Sequence, residues 1–60
     1  MEFNCIIKLN NAAYRDEYEE LYEQALADNI EYISKQIAVG ARTGTVMDIN
    51  GNKVGNWSIK

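Results

Sequence analysis

Residues 45–59 read Thr-Val-Met-Asp-Ile-Asn-Gly-Asn-Lys-Val-Gly-Asn-Trp-Ser-Ile. Asn50-Gly51 between two strand-like runs is the strongest short-range hairpin signature, because a type I′ turn needs positive φ at both central residues. A two-residue loop sets Asp48 opposite Lys53, an oppositely charged cross-strand pair worth roughly 0.2–1 kcal/mol. In that register Met47, Ile49 and Val54 share one face, while Val46, Trp57 and Ile59 share the other. Both faces are then partly apolar, and one helix covers only one of them. A different loop length would shuffle these partners.

Upstream, Asn10 to Val39 reads as one long helical stretch with a loose turn at Asn11–Tyr14 and a regular helix from about Asp16. Asn10-Asn11 offers one cap, and Asp16 with Glu19 has the spacing of a capping box. The early carboxylates Asp16, Glu17, Glu19 and Glu20 suit the positive end of a helix dipole. Gly40 supplies the stop, since glycine enters the left-handed C-terminal conformation without strain. At 100° per residue, Tyr18, Tyr22, Leu26, Ile30, Ile33 and Ile37 form one stripe, with Tyr14, Leu21, Ala25 and Tyr32 beside it. The two together exceed the arc that one small sheet covers. Glu17, Glu20, Glu23, Gln24, Asp28, Glu31, Ser34 and Lys35 fill a solvated arc.

Before the helix, Phe3, Cys5, Ile7 and Leu9 alternate with Glu2, Asn4, Ile6 and Lys8, a period of two. This predicts a first strand with one buried face, Cys5 being a small buried hydrophobe and Ile6 the one apolar residue on the wet side. The expected fold is α+β: a single β-α-β-β domain over residues 1–60, one long helix on a three-stranded, mostly antiparallel sheet. Placing the third strand in the middle (order 1-3-2) makes every pairing antiparallel. The order 1-2-3 would need a right-handed parallel crossover.

Sixty residues lie near the lower limit of independent folding, where such domains recruit disulfides, metals or a second chain. One Cys and no His leave neither an internal disulfide nor a zinc site. A homodimer is the expected source of further burial, held by Tyr14, Leu21 and Tyr32 or by Val46, Trp57 and Ile59. The start Met1-Glu2-Phe3-Asn4 lacks the basic region of a signal peptide, and no apolar run is long enough to span a membrane. These features, with the unpaired Cys, predict a cytoplasmic location.

Neither a catalytic group nor a cofactor or metal site is expected. No His, Gly-rich phosphate loop, metal spacing or activated Ser is present. The net charge is −3, and seven of the nine acidic residues fall between Asp16 and Glu31, where no Lys or Arg occurs. That balance opposes nucleic-acid binding, although Trp57, the tyrosines, Arg42, Lys53 and Lys60 could stack on bases or touch phosphates. Two accounts of partner binding follow. In one, Glu17, Glu20, Glu23, Asp28 and Glu31 imitate a phosphate backbone at a basic site; in the other, Tyr32 and Trp57 act as aromatic anchors.

The segment Asn11-Ala12-Ala13-Tyr14 and the run Asp48-Ile49-Asn50-Gly51-Asn52-Lys53-Val54-Gly55-Asn56-Trp57 resemble a pattern in small phage and prophage proteins. There, an "N-A-A-F/Y" segment precedes an acidic helix and a "D-x-N-G-N-x-V-G-x-W" hairpin. Tyr14 stands where Phe is more usual. The resemblance rests on turn and packing residues and implies a phage setting, hence the host-cell cytoplasm, without a mechanism. Tiny, acidic, non-catalytic chains with surplus apolar surface suit a phage-encoded inhibitor that blocks a bacterial defence protein such as a nuclease, a helicase or a CRISPR component. A small nucleic-acid-binding or regulatory accessory protein is the alternative expectation.

Overall fold

In the computed structural model, which describes residues 1–60, strand β1 (Phe3–Ile7) leads through a 3-10 turn (Ala12–Tyr14) to helix α1 (Glu23–Ala38). Strands β2 (Thr43–Met47) and β3 (Lys53–Ile59) follow. The sheet order is β1-β3-β2 with both pairings antiparallel, the α+β arrangement expected. The last strand therefore sits in the middle, and β1 and β2 are the edges. The loose turn at Asn11–Tyr14 is the 3-10 turn, capped by Asn11 Oδ1, which accepts from the Ala13 N–H at 3.1 Å.

The helix begins at Glu23, about two turns later than the capping-box spacing suggests. Asp16 does act as a cap, but of a loop. Its Oδ1 accepts from the N–H groups of Tyr18 (2.8 Å) and Glu20 (3.0 Å), and its own N–H donates to the Glu20 carbonyl at 2.8 Å. A side chain that captures nearby N–H groups competes with helix formation. Glu19 has φ 63°, the left-handed region, which breaks any helical run through it. The chain then returns beside itself, Arg15 bridging Leu21 and the Tyr22 N–H donating to the Tyr14 carbonyl at 2.8 Å. The helix ends as expected. Gly40 has φ 100°, its N–H donates to Ile37, and Ala41 donates to Gln36, the double bond of a Schellman ending.

The hairpin loop differs from a two-residue type I′ turn. The Gly51 N–H donates to the Asp48 carbonyl (3.0 Å), and Asp48 pairs with Asn52 through its own N–H (2.9 Å). Only Gly51 has positive φ (82°), which excludes type I′ and leaves a type I turn followed by a left-handed glycine. Lys53 consequently opposes Met47, and the expected Asp48–Lys53 pair does not form. Between Val46 and Met47 the register slips by one residue, since Val46 faces Gly55 while Met47 faces Lys53. The extra residue is Val54, which the bulge turns into the core beside Val46.

The register puts Val46, Trp57 and Ile59 on one face with Phe3, Cys5 and Ile7, as partners across the strands. The helix lies on that face, over its β2 side. The core is Tyr14, Ile33, Val46, Val54 and Trp57, with Trp57 and Tyr14 each only 1% exposed. Tyr14, Val46 and Trp57 are therefore spent inside the monomer and cannot form the expected dimer surface. The opposite face carries Asn4, Thr43, Thr45, Asn56 and Ser58, so it is polar apart from Ile6 (67% exposed) and needs no second cover.

The helix packs on the β2 side and leaves the β1 side open. An apolar groove lined by Phe3, Cys5, Ile7, Leu9, Leu26, Ile30 and Ile33 runs between them. Cys5 points into this groove and is exposed, not the buried hydrophobe its register suggested. Of the helix stripe only Ile33 is fully buried, with Ile30 at 53% and Tyr22 at 50% exposed.

Candidate functional site

One end of the molecule is tied together by Asp48. Its carboxylate accepts from the N–H groups of Asn50 and Asn52 (2.9 Å each), from Asn52 Nδ2 (3.2 Å) and from Asn11 Nδ2 (2.7 Å). The hairpin turn and the 3-10 turn, far apart in sequence, thus share one anion. The Asn52 backbone bond is the main reason the Asp48 carboxyl is held below the ordinary carboxylate value; burial opposes it, and the other donors add to it. Beside this knot, the Tyr14 hydroxyl donates to Asn29 Oδ1 (2.6 Å), and Asn29 Nδ2 donates to the Met47 carbonyl (3.0 Å). Burial, then the nearby Asp48 charge, pushes the Tyr14 phenol upward, so it stays neutral.

Above these bonds opens a cleft of about 360 Å³ between the start of α1 and the hairpin tip. Ala13, Tyr22, Ala25, Met47 and Ile49 give it apolar walls, while Asp28, Asn29 and Asp48 supply polar ones. Tyr22, Met47 and Ile49 are 50%, 48% and 91% exposed. An Ile left in water at a turn has no packing role of its own. Next to the cleft, the Arg15–Tyr22 loop carries the exposed Asp16, Glu17, Glu19 and Glu20, together with Tyr18. Arg15 of this loop lies 3.9 Å from Glu19, a surface pair of little energetic weight.

The expected acidic residues are all exposed, but they do not form one helical stripe. Glu17 and Glu20 lie on the loop, Glu23 opens the helix, and Asp28 stands at the cleft. Glu31 lies farther along, 3.2 Å from Lys35. Tyr32 is exposed on α1, away from the cleft lining, and Leu21 is exposed at the loop end. Trp57 presents no surface. Ile59 is half-buried against the core. Helical periodicity assigns Tyr22 to the sheet-covering stripe, and a two-residue turn places Met47 and Ile49 within strands, so none of the three reads as a site residue from sequence. A longer loop moves Ile49 to the tip.

The cleft presents apolar walls and hydrogen-bonding groups to a ligand. Its one buried carboxylate is an acceptor saturated with donors and ionised at neutral pH, which disqualifies it as a proton donor there. No group of three or more His, Cys, Asp or Glu side chains converges to hold a metal ion. No helix is long and apolar enough to cross a membrane. Comparison with known protein families, with curated proteins and with solved structures finds no match to this chain.

Proposed function

We propose that this chain is a non-catalytic inhibitor of the kind phages encode, which binds and blocks a bacterial defence protein such as a nuclease, a helicase or a CRISPR component. The observation that carries the reading is the juxtaposition of the exposed Tyr22, Met47 and Ile49 with an acidic loop on a rigidly tied end. Apolar and aromatic side chains at the centre of a patch supply most binding energy. Carboxylates at its rim steer it toward a basic surface and raise the association rate. Proteins that handle nucleic acid expose such basic surfaces. The resemblance to phage and prophage proteins supports the setting.

The test starts with capture of partners from bacteria that carry an active defence system, followed by assay of the captured enzyme. The expected outcome is a stoichiometric complex, loss of the enzyme's activity, and loss of both effects in Tyr22→Ala and Ile49→Asp. Glu20→Lys with Glu23→Lys should weaken association mainly at low salt, as rim charges do. Salt-dependent binding of the isolated chain to DNA or RNA, with no protein complex, would overturn the reading in favour of an accessory nucleic-acid-binding role.

A further inference from the structure

The groove between β1 and α1 shares no lining residue with the cleft at the hairpin tip. It follows the open edge of β1, and the backbone of that edge is half used. Glu2 and Lys60 exchange both backbone bonds (2.6 and 2.9 Å), and the Lys8 N–H donates to the Val54 carbonyl (2.8 Å). The even-numbered residues of this strand therefore bond inward to β3. In an antiparallel ladder the alternate residues point the other way. The N–H and C=O groups of Phe3, Cys5 and Ile7 are thus aimed out of the sheet, without partners. An exposed edge of this sort is a template for pairing with another strand.

The sequence of the edge complements itself. Phe3–Ile7 carries no charge, Glu2 precedes it and Lys8 follows it, and neither of these forms an ion pair within the chain. We propose that the occupant of this edge is a second copy of the chain, whose β1 pairs antiparallel about a two-fold axis at Cys5. That register sets Phe3 of one copy opposite Ile7 of the other, and Cys5 opposite its own counterpart. All the outward-pointing groups of Phe3, Cys5 and Ile7 then find partners, each facing pair exchanging two bonds. Glu2 of each copy meets Lys8 of the other, twice by symmetry. Sliding the register by two residues keeps some backbone bonds but breaks both charge pairs.

The same pairing lays Phe3 beside Ile7 of the partner copy on the groove side of the sheet. This removes apolar surface from water where α1 does not reach. The two three-stranded sheets become one continuous sheet, its two hairpin-tip clefts left free. An isologous contact of this kind closes at two copies and does not propagate. The inference is independent of which target the cleft binds.

Sedimentation of the full chain across the micromolar range tests it. The expected result is a monomer–dimer equilibrium with the dimer at twice the 6.8 kDa chain mass. Glu2→Lys and Lys8→Glu should each weaken dimerisation by about tenfold, because every substitution sets two like-charged pairs across the junction. The double variant Glu2→Lys/Lys8→Glu should restore the parent's association. Cys5→Pro, which removes an outward N–H while leaving the inward ladder intact, should abolish the dimer. Each variant is first checked for the parent's circular dichroism and unfolding midpoint; should Cys5→Pro fail that check, the charge exchange decides alone. A chain monomeric at high micromolar concentration, or single charge variants that dimerise like the parent, would overturn the proposal. So would a double variant weaker than either single one.

Discussion

Gly44→Ala is a severe test of the core, because it adds one methyl group at the place least able to accept it. A Cβ on Gly44 would lie 2.5 Å from Trp57 Nε1, 3.0 Å from Cε2 and 3.3 Å from Cζ2. Ordinary contact begins at 3.4 Å, so the indole has to retreat by about 0.9 Å (3.4 less 2.5 Å). Trp57 is 1% exposed in the core and meets Phe3 in a tilted contact at a ring-centroid distance of 6.1 Å. Overpacking of this kind typically costs 1–3 kcal/mol. The opposing effect, a less flexible unfolded chain, is worth only about 0.4–1 kcal/mol. Overpacking wins, and the expected net loss is about 1–2 kcal/mol. That is a large share of the ~3–5 kcal/mol that one small core supplies. Urea unfolding followed by the emission of Trp57, the sole tryptophan, measures it directly. A variant as stable as the parent, with the same emission maximum, would refute the seating of the indole on Gly44.

Two further perturbations probe the hairpin tip. Because the Asp48 carboxyl is held below its ordinary value of 3.8, its stabilising contribution is complete above that pH and is lost as the pH falls through the depressed value. Asp48→Asn should lower the unfolding midpoint at neutral pH and flatten its dependence on acid; an acid profile identical to the parent's would show the carboxylate idle. Gly51→Val should destabilise the fold by more than ~1 kcal/mol, since a β-branched residue resists positive φ, while Asn50→Ala should change little because Asn50 is not left-handed here. Equal losses at both positions in denaturant titrations would restore the type I′ turn.

The architecture was readable because its signals agree with one another. The alternation of Phe3, Cys5 and Ile7, the glycine at 40, and the two runs around Asn50-Gly51 lead to one helix on an antiparallel 1-3-2 sheet. Where the reading failed, a polar side chain or an extra residue had changed the local geometry. Asp16 has the spacing of a helix cap and closes a loop instead, so the acidic run divides between loop and helix. Val54 is an extra residue in its strand, and no period-of-two pattern announces a bulge. Trp57 is closed to partners because the register leaves the sheet a single apolar face and Trp57 lies in its buried part. Ile49 reaches the cleft because the loop is longer than two residues. The groove along β1 was invisible because a helical stripe does not reveal which strands it will cover.

The placement of β3 between its neighbours also sets an order of events during synthesis. The chain grows at about 5–20 residues per second from its N-terminal end. β1 is made before β2 and β3, yet its only partner in the sheet is β3, made after both. For several seconds, then, Phe3, Ile6 and Ile7 form an unpaired apolar strand. β2 has to wait for the same segment, but its hairpin closes locally and fast once Lys53–Ile59 emerges. The docking of β1, which closes most of the chain into one loop, comes afterwards and is the slower step. Misassembly is most damaging in this interval, when a nascent β1 edge can meet another before its own third strand exists.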